Sequence, residues 1–470
     1  MIDKHLLTIA AIGRLYRSRA LSPVELTKTY LARIEALDDK LVSFVLPTPE
    51  RALADARRAE DEFTRGIDRG PMQGVPYCLK DIVETAGIRT TGQSRLLAEH
   101  VPAEDATVES RLRAGGGVML GKNTTWEFAH GGPSWDVFAP PAHNPWNLDH
   151  HPAGSSSGSA AAVAAGFAAG TIGSDTGGSI RQPAAACGIA GLKPTYGRVS
   201  RKGVLPNCFS HDHVGPLAWT TEDVALMMNV VAGHDPGDPG SVDLPVPDYT
   251  TALSGDCKGL TIGVPYAWLD EAKTSAETRD AMEVALGVLR ALGAAVVPVT
   301  LSPLLAYSDS KRVIAMSELF SIHQKTLRER PDLLGASLRY RIQCGALLRA
   351  EDYVQAMRMR TKLTTEMQAL FRTVDLLVMP SGEPAGKLEP TPHAGLFTQS
   401  SWTTPFNTTG NPALSICMGF AANGLPQSLQ IAGRLFDEAT VLRAGDAYEK
   451  ATPWRDRRPE IAAPLESQTA

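Results

Sequence analysis

Between Ala153 and Ile180 the chain reads AGSSSGSAAAVAAGFAAGTIGSDTGGSI, and nearly every position is Gly, Ala, Ser or Thr. Such a run is either a solvated linker or a place where backbone segments approach too closely for larger side chains. The order within it favours close approach. Ala160 to Ala169 is a good helix former, and Thr171-Ile172-Gly173 resembles the end of a strand. Arg181, Pro183 and Cys187 then lead straight into another apolar segment. Small residues here are expected to bring backbone segments together around a site.

The rest of the 470-residue chain supports a packed interior, with 43% hydrophobic and 21% charged residues. Disorder, collagen and a disulfide miniprotein are excluded on that composition. A net charge of -5 with no block of like charges argues against a dedicated nucleic-acid or membrane-surface binder. The six cysteines (Cys78, Cys187, Cys208, Cys257, Cys344, Cys417) form no CxxC pair, as suits buried thiols in a reducing compartment. Asp3, Lys4 and Arg14 interrupt the apolar start where a signal peptide needs an unbroken run. Ala160 to Gly173 is too rich in alanine and glycine to span a bilayer. The expected location is the cytoplasm.

Helical and strand periods alternate along the chain, which predicts an α/β fold with one large mixed, twisted sheet covered by helices on both faces. Ser22-Pro23-Val24-Glu25 carries a capping-box pattern ahead of Leu26, Tyr30, Leu31, Ile34 and Leu37 at helical spacing. Val75 to Val83 reads as a short buried strand containing one anomalous lysine, Lys80. A helix over Thr107 to Ala114, a Gly115-Gly116-Gly117 turn and a strand over Val118 to Gly121 follow. Further on come a strand (Leu260 to Val264), a helix (Ser275 to Leu292) and a strand (Ala295 to Leu301). Helical stretches from about Ser310 to Phe371 precede a strand over Leu376 to Met379. No repeat and no Pro/Ser-rich linker divides the chain, although GHDPGDPG from Gly233 to Gly240 could mark a seam. One domain over 1–470 is expected: a helical lead-in to about 70, a core over 71–235, a C-terminal part over 236–455 and a tail over 456–470.

Ser179 follows Asp175-Thr176-Gly177-Gly178, and a Gly-Gly turn can aim successive backbone N–H groups at one oxyanion while the serine attacks a carbonyl. A serine nucleophile needs a base, and a buried Lys80 would be held near neutrality by desolvation. The hydroxyl of Ser155 both donates and accepts, so it can pass a proton between the two.

These residues sit in segments that together resemble the amidase signature family. Lys80 lies in GVPYCLKDIVETAGIRTTGQS, Ser155 in AGSSSGSAAAVAAG, and Ser179 in GSDTGGSIRQPAAACGIAGLKPTYGRVS. SHDHVGPLAWTTEDVALMMNVVAGHDPGDP and TPFNTTGNPALSICMGFAANGLPQSLQIAGRLFDEATVLRAGDAYE also look like family blocks. The resemblance implies a Ser, cis-Ser, Lys triad: Ser179 as nucleophile, Ser155 as shuttle, Lys80 as base and later acid. It implies an oxyanion hole from the N–H groups of Thr176, Gly177, Gly178 and Ser179. Asp175, Arg181 and Ser156 are implied as scaffold, and Phe128 in WEFAHGG as acyl-pocket lining. Trp126, Trp135 and Trp402, with Tyr307, Met316, Phe320 and Phe397, are candidate walls whose apolar character suits a hydrophobic or aromatic substrate group. Ala153 and Ser157 stand where many relatives have glycine, and Trp219 where a basic residue is common.

The implied activity is hydrolysis of a carboxamide, or a related anilide or carbamate, through a seryl acyl-enzyme. The implied partners are a small amide and water, with no organic cofactor, metal, nucleic acid or membrane, in a monomer or homodimer. One alternative is the glutaminase subunit of a tRNA-dependent amidotransferase. Arg341 falls near an arginine that holds the glutamine carboxylate in such subunits, whereas Gln399-Ser400-Ser401 replaces their acidic residue. Another is an α/β-hydrolase esterase with Ser156 as nucleophile in Gly154-Ser155-Ser156-Ser157-Gly158. That motif must follow a strand, and NLDHHP before it does not read as one. His211-Asp212-His213 and His150-His151 lack a further ligand at metal-site spacing, so no metal is expected. A catalytically dead scaffold would have no need of a costly buried lysine.

Overall fold

The computed structural model describes residues 3–390 and 401–465. Eleven strands among them form one sheet. They are β1 (Phe44–Pro47), β2 (Pro76–Lys80), β3 (Val118–Asn123), β4 (Gly170–Asp175), β5 (Ala190–Lys193), β6 (His213–Ala218), β7 (Thr261–Val264), β8 (Ala295–Pro298), β9 (Leu376–Gly382), β10 (Ala413–Phe420) and β11 (Pro426–Gly433). Their order is β1-β3-β2-β4-β6-β5-β10-β11-β9-β7-β8. The sheet is mixed: β3, β2 and β4 run parallel, as do β9, β7 and β8, and antiparallel pairs join these two parts. Every residue of β2, β3, β4 and β6 is buried, so both faces of this half are covered. Both sides of the GHDPGDPG loop contribute strands to the same sheet.

Local rules explain the helices the sequence announces. Ser22 Oγ accepts the N–H groups of Val24 and Glu25, and the helix Pro23–Leu41 buries Leu26, Tyr30, Ile34 and Leu37. The reciprocal half of the expected capping box does not form, because Glu25 pairs with Lys4 instead. The helix Thr107–Ala114 has the expected limits, and Ser275 caps the helix Ala276–Ala291. The stretch from Ser310 to Phe371 is three helices, Leu304–Glu329, Ala336–Gly345 and Ala350–Leu370. No helix among the described residues is long and apolar enough to cross a membrane.

The small-residue segment is ordered. It forms the helix Ser157–Ala164, shorter and earlier than the expected Ala160 to Ala169, and then β4, which runs on to Asp175. Gly158 shows why size is restricted: a Cβ there would lie 2.3 Å from the Ser43 carbonyl oxygen and 2.7 Å from the Thr124 nitrogen. The C-terminal segment is held by stacking, with the guanidinium of Arg458 3.3 Å from the Trp219 ring centre and that of Arg457 4.0 Å from Phe420.

Because backbone atoms oppose a methyl group at Gly158, Gly158→Ala should lower stability by about 1–3 kcal/mol in urea unfolding. Gly287→Ala lies in a helix with nothing within 4 Å of the new Cβ, and should raise stability by about 0.5–1 kcal/mol.

Candidate active site

Parallel pairing of β2 with β4 sets Leu79 opposite Ile172, so Lys80 and Ser174 reach the carboxyl ends of adjacent strands together. Lys80 is fully buried. Its Nζ lies 2.7 Å from Ser155 Oγ and 2.9 Å from Ser174 Oγ. Burial pushes the Lys80 ammonium down to about 7, while the more distant Asp175 and Asp212 oppose that shift.

Ser155 is fixed from both sides. The Gly154–Ser155 bond is cis. The Ser155 carbonyl accepts from Trp126 N–H at 3.2 Å and Thr125 Oγ1 at 2.9 Å, and the Trp126 ring fills the space where Gly154 lacks a side chain. Ser156 is fully buried, and its hydroxyl lies 3.3 Å from both the carbonyl oxygen and the nitrogen of Ser174. No strand precedes it. The α/β-hydrolase alternative needs an exposed serine on a turn that follows a strand, and Ser156 meets neither requirement. Ser179, in contrast, is half-buried, and its hydroxyl has no hydrogen-bond partner among the described residues.

Asp175 shapes the turn between them. Its carboxylate accepts the N–H groups of Gly178 at 2.7 Å and Ile180 at 3.1 Å, both arms of Arg181, and Asn407 Nδ2 at 2.8 Å. The expected four-donor oxyanion hole is therefore corrected. The Gly178 N–H is committed to Asp175, which leaves those of Thr176, Gly177 and Ser179 without partners among the described residues. Thr176 Oγ1 donates to Asp212 at 2.6 Å, and Thr403 Oγ1 donates to the Gly177 carbonyl at 2.8 Å. Burial alone would raise the Asp175 pKa, but the guanidinium of Arg181 overrides it and holds the carboxyl well below the usual range.

The candidate walls divide. Trp126 borders Gly154, and Phe128, with φ +47°, stacks on His323 at 4.7 Å in a cluster with Leu319, Leu334, Leu338 and Ile342. Met316 is buried and Phe320 half-buried. Tyr307 and Trp402 sit in a core cluster with Trp268 and Phe406, and Trp135 is 52% exposed. Phe397, Gln399 and Ser400 lie outside the described residues. Arg341 donates to the Gly131 carbonyl at 3.0 Å, and Ser401 Oγ lies 2.8 Å from Thr403 Oγ1. On the far side of Ser174, a cavity of about 480 Å³ is lined by Ile82, Tyr196, Asn207, Asp212 and His213 among others.

Ser174, Thr403 and Asn407 escaped the sequence reading, since nothing marks one hydroxyl or amide as unusual before the fold brings it to the turn. Asp212 was visible only inside His211-Asp212-His213. That trio is explained by local bonds: His213 Nδ1 faces the carbonyls of Asp175 and His211, and His211 Nδ1 faces Cys208 Sγ. Among the described residues, no group of three or more His, Cys, Asp or Glu is placed to hold a metal.

Removing charge from one member of the buried Asp175–Arg181 pair strands the other. Asp175→Asn should cost about 3–5 kcal/mol in chemical denaturation.

Comparison with known proteins matches the Amidase family over residues 25–442. The A subunit of the glutamyl-tRNA(Gln) amidotransferase of Chloroflexus aggregans is 42% identical, covering 98% of this chain and 100% of the relative. That of Chloroflexus aurantiacus is 41% identical with the same coverage. Among solved structures, a bacterial aryl acylamidase of the amidase signature family superposes with a TM-score of 0.88 at 26% identity, covering 99% of this chain and 100% of the other. The corresponding amidotransferase subunit from Thermotoga maritima gives 0.84 at 30% identity, covering 98% and 99%. The expectation of a small amide as sole substrate, with no nucleic acid, is corrected by the amidotransferase relatives, whose name denotes one subunit of an enzyme and a tRNA. The balanced charge excluded a dedicated nucleic-acid binder, and that exclusion does not extend to one component of a larger enzyme. With a family match over most of its length and similar proteins covering it almost end to end, the chain belongs to the amidase signature family.

Proposed function

We propose that this chain cleaves the C–N bond of a carboxamide by transferring the acyl group to Ser179. The observation that carries this reading is a buried lysine with a pKa of about 7 whose nearest partners are serine hydroxyls rather than carboxylates. Near pH 7 such an amine is neutral in a large fraction of molecules and accepts a proton readily. Ser179 Oγ attacks the carbonyl carbon while its proton passes through Ser155 to Lys80. The oxyanion is received by the N–H groups of Thr176, Gly177 and Ser179. The C–N bond then breaks as the proton returns through Ser155 to the leaving nitrogen, which departs poorly without it. Water, deprotonated by the same relay, hydrolyses the acyl-enzyme.

The curated relatives support a narrower reading, in which the amide is that of glutamine and the chain is the ammonia-releasing component of an amidotransferase. Arg341, which falls near the arginine that such subunits use and donates to the Gly131 carbonyl, suits a substrate carboxylate. Yet Gln399-Ser400-Ser401 supplies no acid for the glutamine ammonium group. Parallel assays on glutamine, 4-nitroacetanilide, an aryl carbamate and a primary aryl amide separate the readings. Ammonia from glutamine alone supports the amidotransferase component, and arylamine or amide release with glutamine untouched supports a broader amidase.

Ser179→Ala should abolish product formation, and Lys80→Ala should lower kcat by several orders of magnitude with an unchanged circular dichroism spectrum. Protonation of Lys80 removes the base, so the rate should fall roughly tenfold per pH unit below about 7. Ser174→Ala removes an acceptor that favours the charged amine, so the midpoint of that acid limb should move down by about one unit.

A further inference from the structure

Lys311 projects from the helix Leu304–Glu329 onto the glycine turn. Its Nζ lies 2.9 Å from the position a Cβ on Gly177 would occupy. Gly177 is one of the residues whose N–H remains unused, so this cation stands beside the place where the substrate carbonyl is received.

No hydrogen bond or ion pair reaches Lys311 Nζ among the described residues. Asp212, a nearby carboxylate, is committed to Thr176 Oγ1 and to the N–H groups of Asn207 and Cys208. Glu318 is committed to Cys208, Ser210 and Tyr353. Arg341 belongs to the same patch, lowers the pKa of both Lys311 and His130, and keeps its Nε buried without a partner. Two cations, Lys311 and Arg341, thus lie on one side of the turn, and among the described residues the nearby carboxylates Asp212 and Glu318 are committed to other donors. Such an arrangement is costly unless a ligand supplies the negative charge.

We propose that Lys311 is a specificity residue that receives a carboxylate carried on the acyl part of the substrate, so that the preferred substrates are amides of dicarboxylic acids. The inference rests on Ser179 as the acylated group. The leaving nitrogen must face Ser155, which returns its proton, and this leaves the side over Gly177 to the acyl chain. Because no uncommitted acid stands in the patch among the described residues, a carboxylate without an adjacent ammonium fits better than an amino acid.

Three anilides test this on the full chain: succinyl-4-nitroanilide, butyryl-4-nitroanilide, in which a methyl replaces the carboxylate, and γ-glutamyl-4-nitroanilide. The wild type should favour the succinyl compound over the other two by about tenfold or more in kcat/KM, the worth of one charge-assisted contact. In Lys311→Met the succinyl-to-butyryl ratio should fall at least about tenfold, chiefly through KM, and Lys311→Arg should restore most of it. Equal losses on both anilides, or a wild type that favours butyryl, would overturn the proposal. A turnover-independent readout is calorimetric binding of succinyl-4-nitroanilide to Ser179→Ala. Binding that disappears when Lys311→Met is added supports the carboxylate site even if no anilide is cleaved, in which case the amide-hydrolysis reading fails instead. Binding that survives Lys311→Met overturns the site.

Discussion

A carboxylate and a guanidinium sealed from solvent organise the functional end of the sheet. Asp175 closes β4, and Arg181 opens the helix Arg181–Cys187 that follows the glycine turn. The pair is bidentate, with contacts of 3.0 and 2.9 Å, and both side chains are fully buried. Burying two charges is unfavourable unless every remaining donor and acceptor is satisfied. Here they are: Arg181 also reaches the Thr403 carbonyl, Gln430 Oε1 and Asn407 Oδ1, each at 2.7 Å. One ion pair therefore ties β4, the turn, the helix Thr404–Thr408 and β11 into a single rigid unit. The turn that carries Ser179 takes its shape from that unit.

Lys80 is the complementary case, a buried cation with no carboxylate in contact. Lys122 and Lys193 are equally buried, and comparison with them shows what differs. Lys122 Nζ donates to the Val83 carbonyl and to Thr90 Oγ1, with Asp81 3.9 Å away, and burial pushes it down only to about 8. Lys193 donates to the carbonyls of Pro194 and Asn411. Carbonyls accept hydrogen bonds and cannot pass protons on. Both partners of Lys80 are serine hydroxyls, which donate as well as accept. Of the three buried lysines, it is the one whose hydrogen bonds go to hydroxyls alone, with no carbonyl or carboxylate among its partners.

How much of this could be read in advance follows from which physical signals act locally. Helices with one exposed face, such as Thr107–Ala114 and Ala276–Ala291, leave a 3.6-residue period and a cap, and their limits were legible. The hairpin of β10 and β11 was not placed, because nearly all its residues are buried and no alternation survives. The small-residue segment announced close backbone approach, which Gly158 against Ser43 realises. What it could not announce was which N–H groups stay free. Asp175 lies three residues before Gly178 and captures its N–H, an outcome set by a loop conformation that composition does not encode. Lys311 was invisible for a related reason: a lysine in a long helix is usually solvated, and only tertiary packing sets this one against Gly177.

The central claim is that Ser179 carries the acyl group while Ser155 and Ser156 do not. The most direct test mixes the protein with an activated acyl substrate, quenches in acid within the turnover time and maps the adduct by peptide mass spectrometry. A single acyl group on Ser179, absent in Ser179→Ala, is the expected result. An adduct on Ser155 or Ser156, or one that persists in Ser179→Ala, would contradict the account.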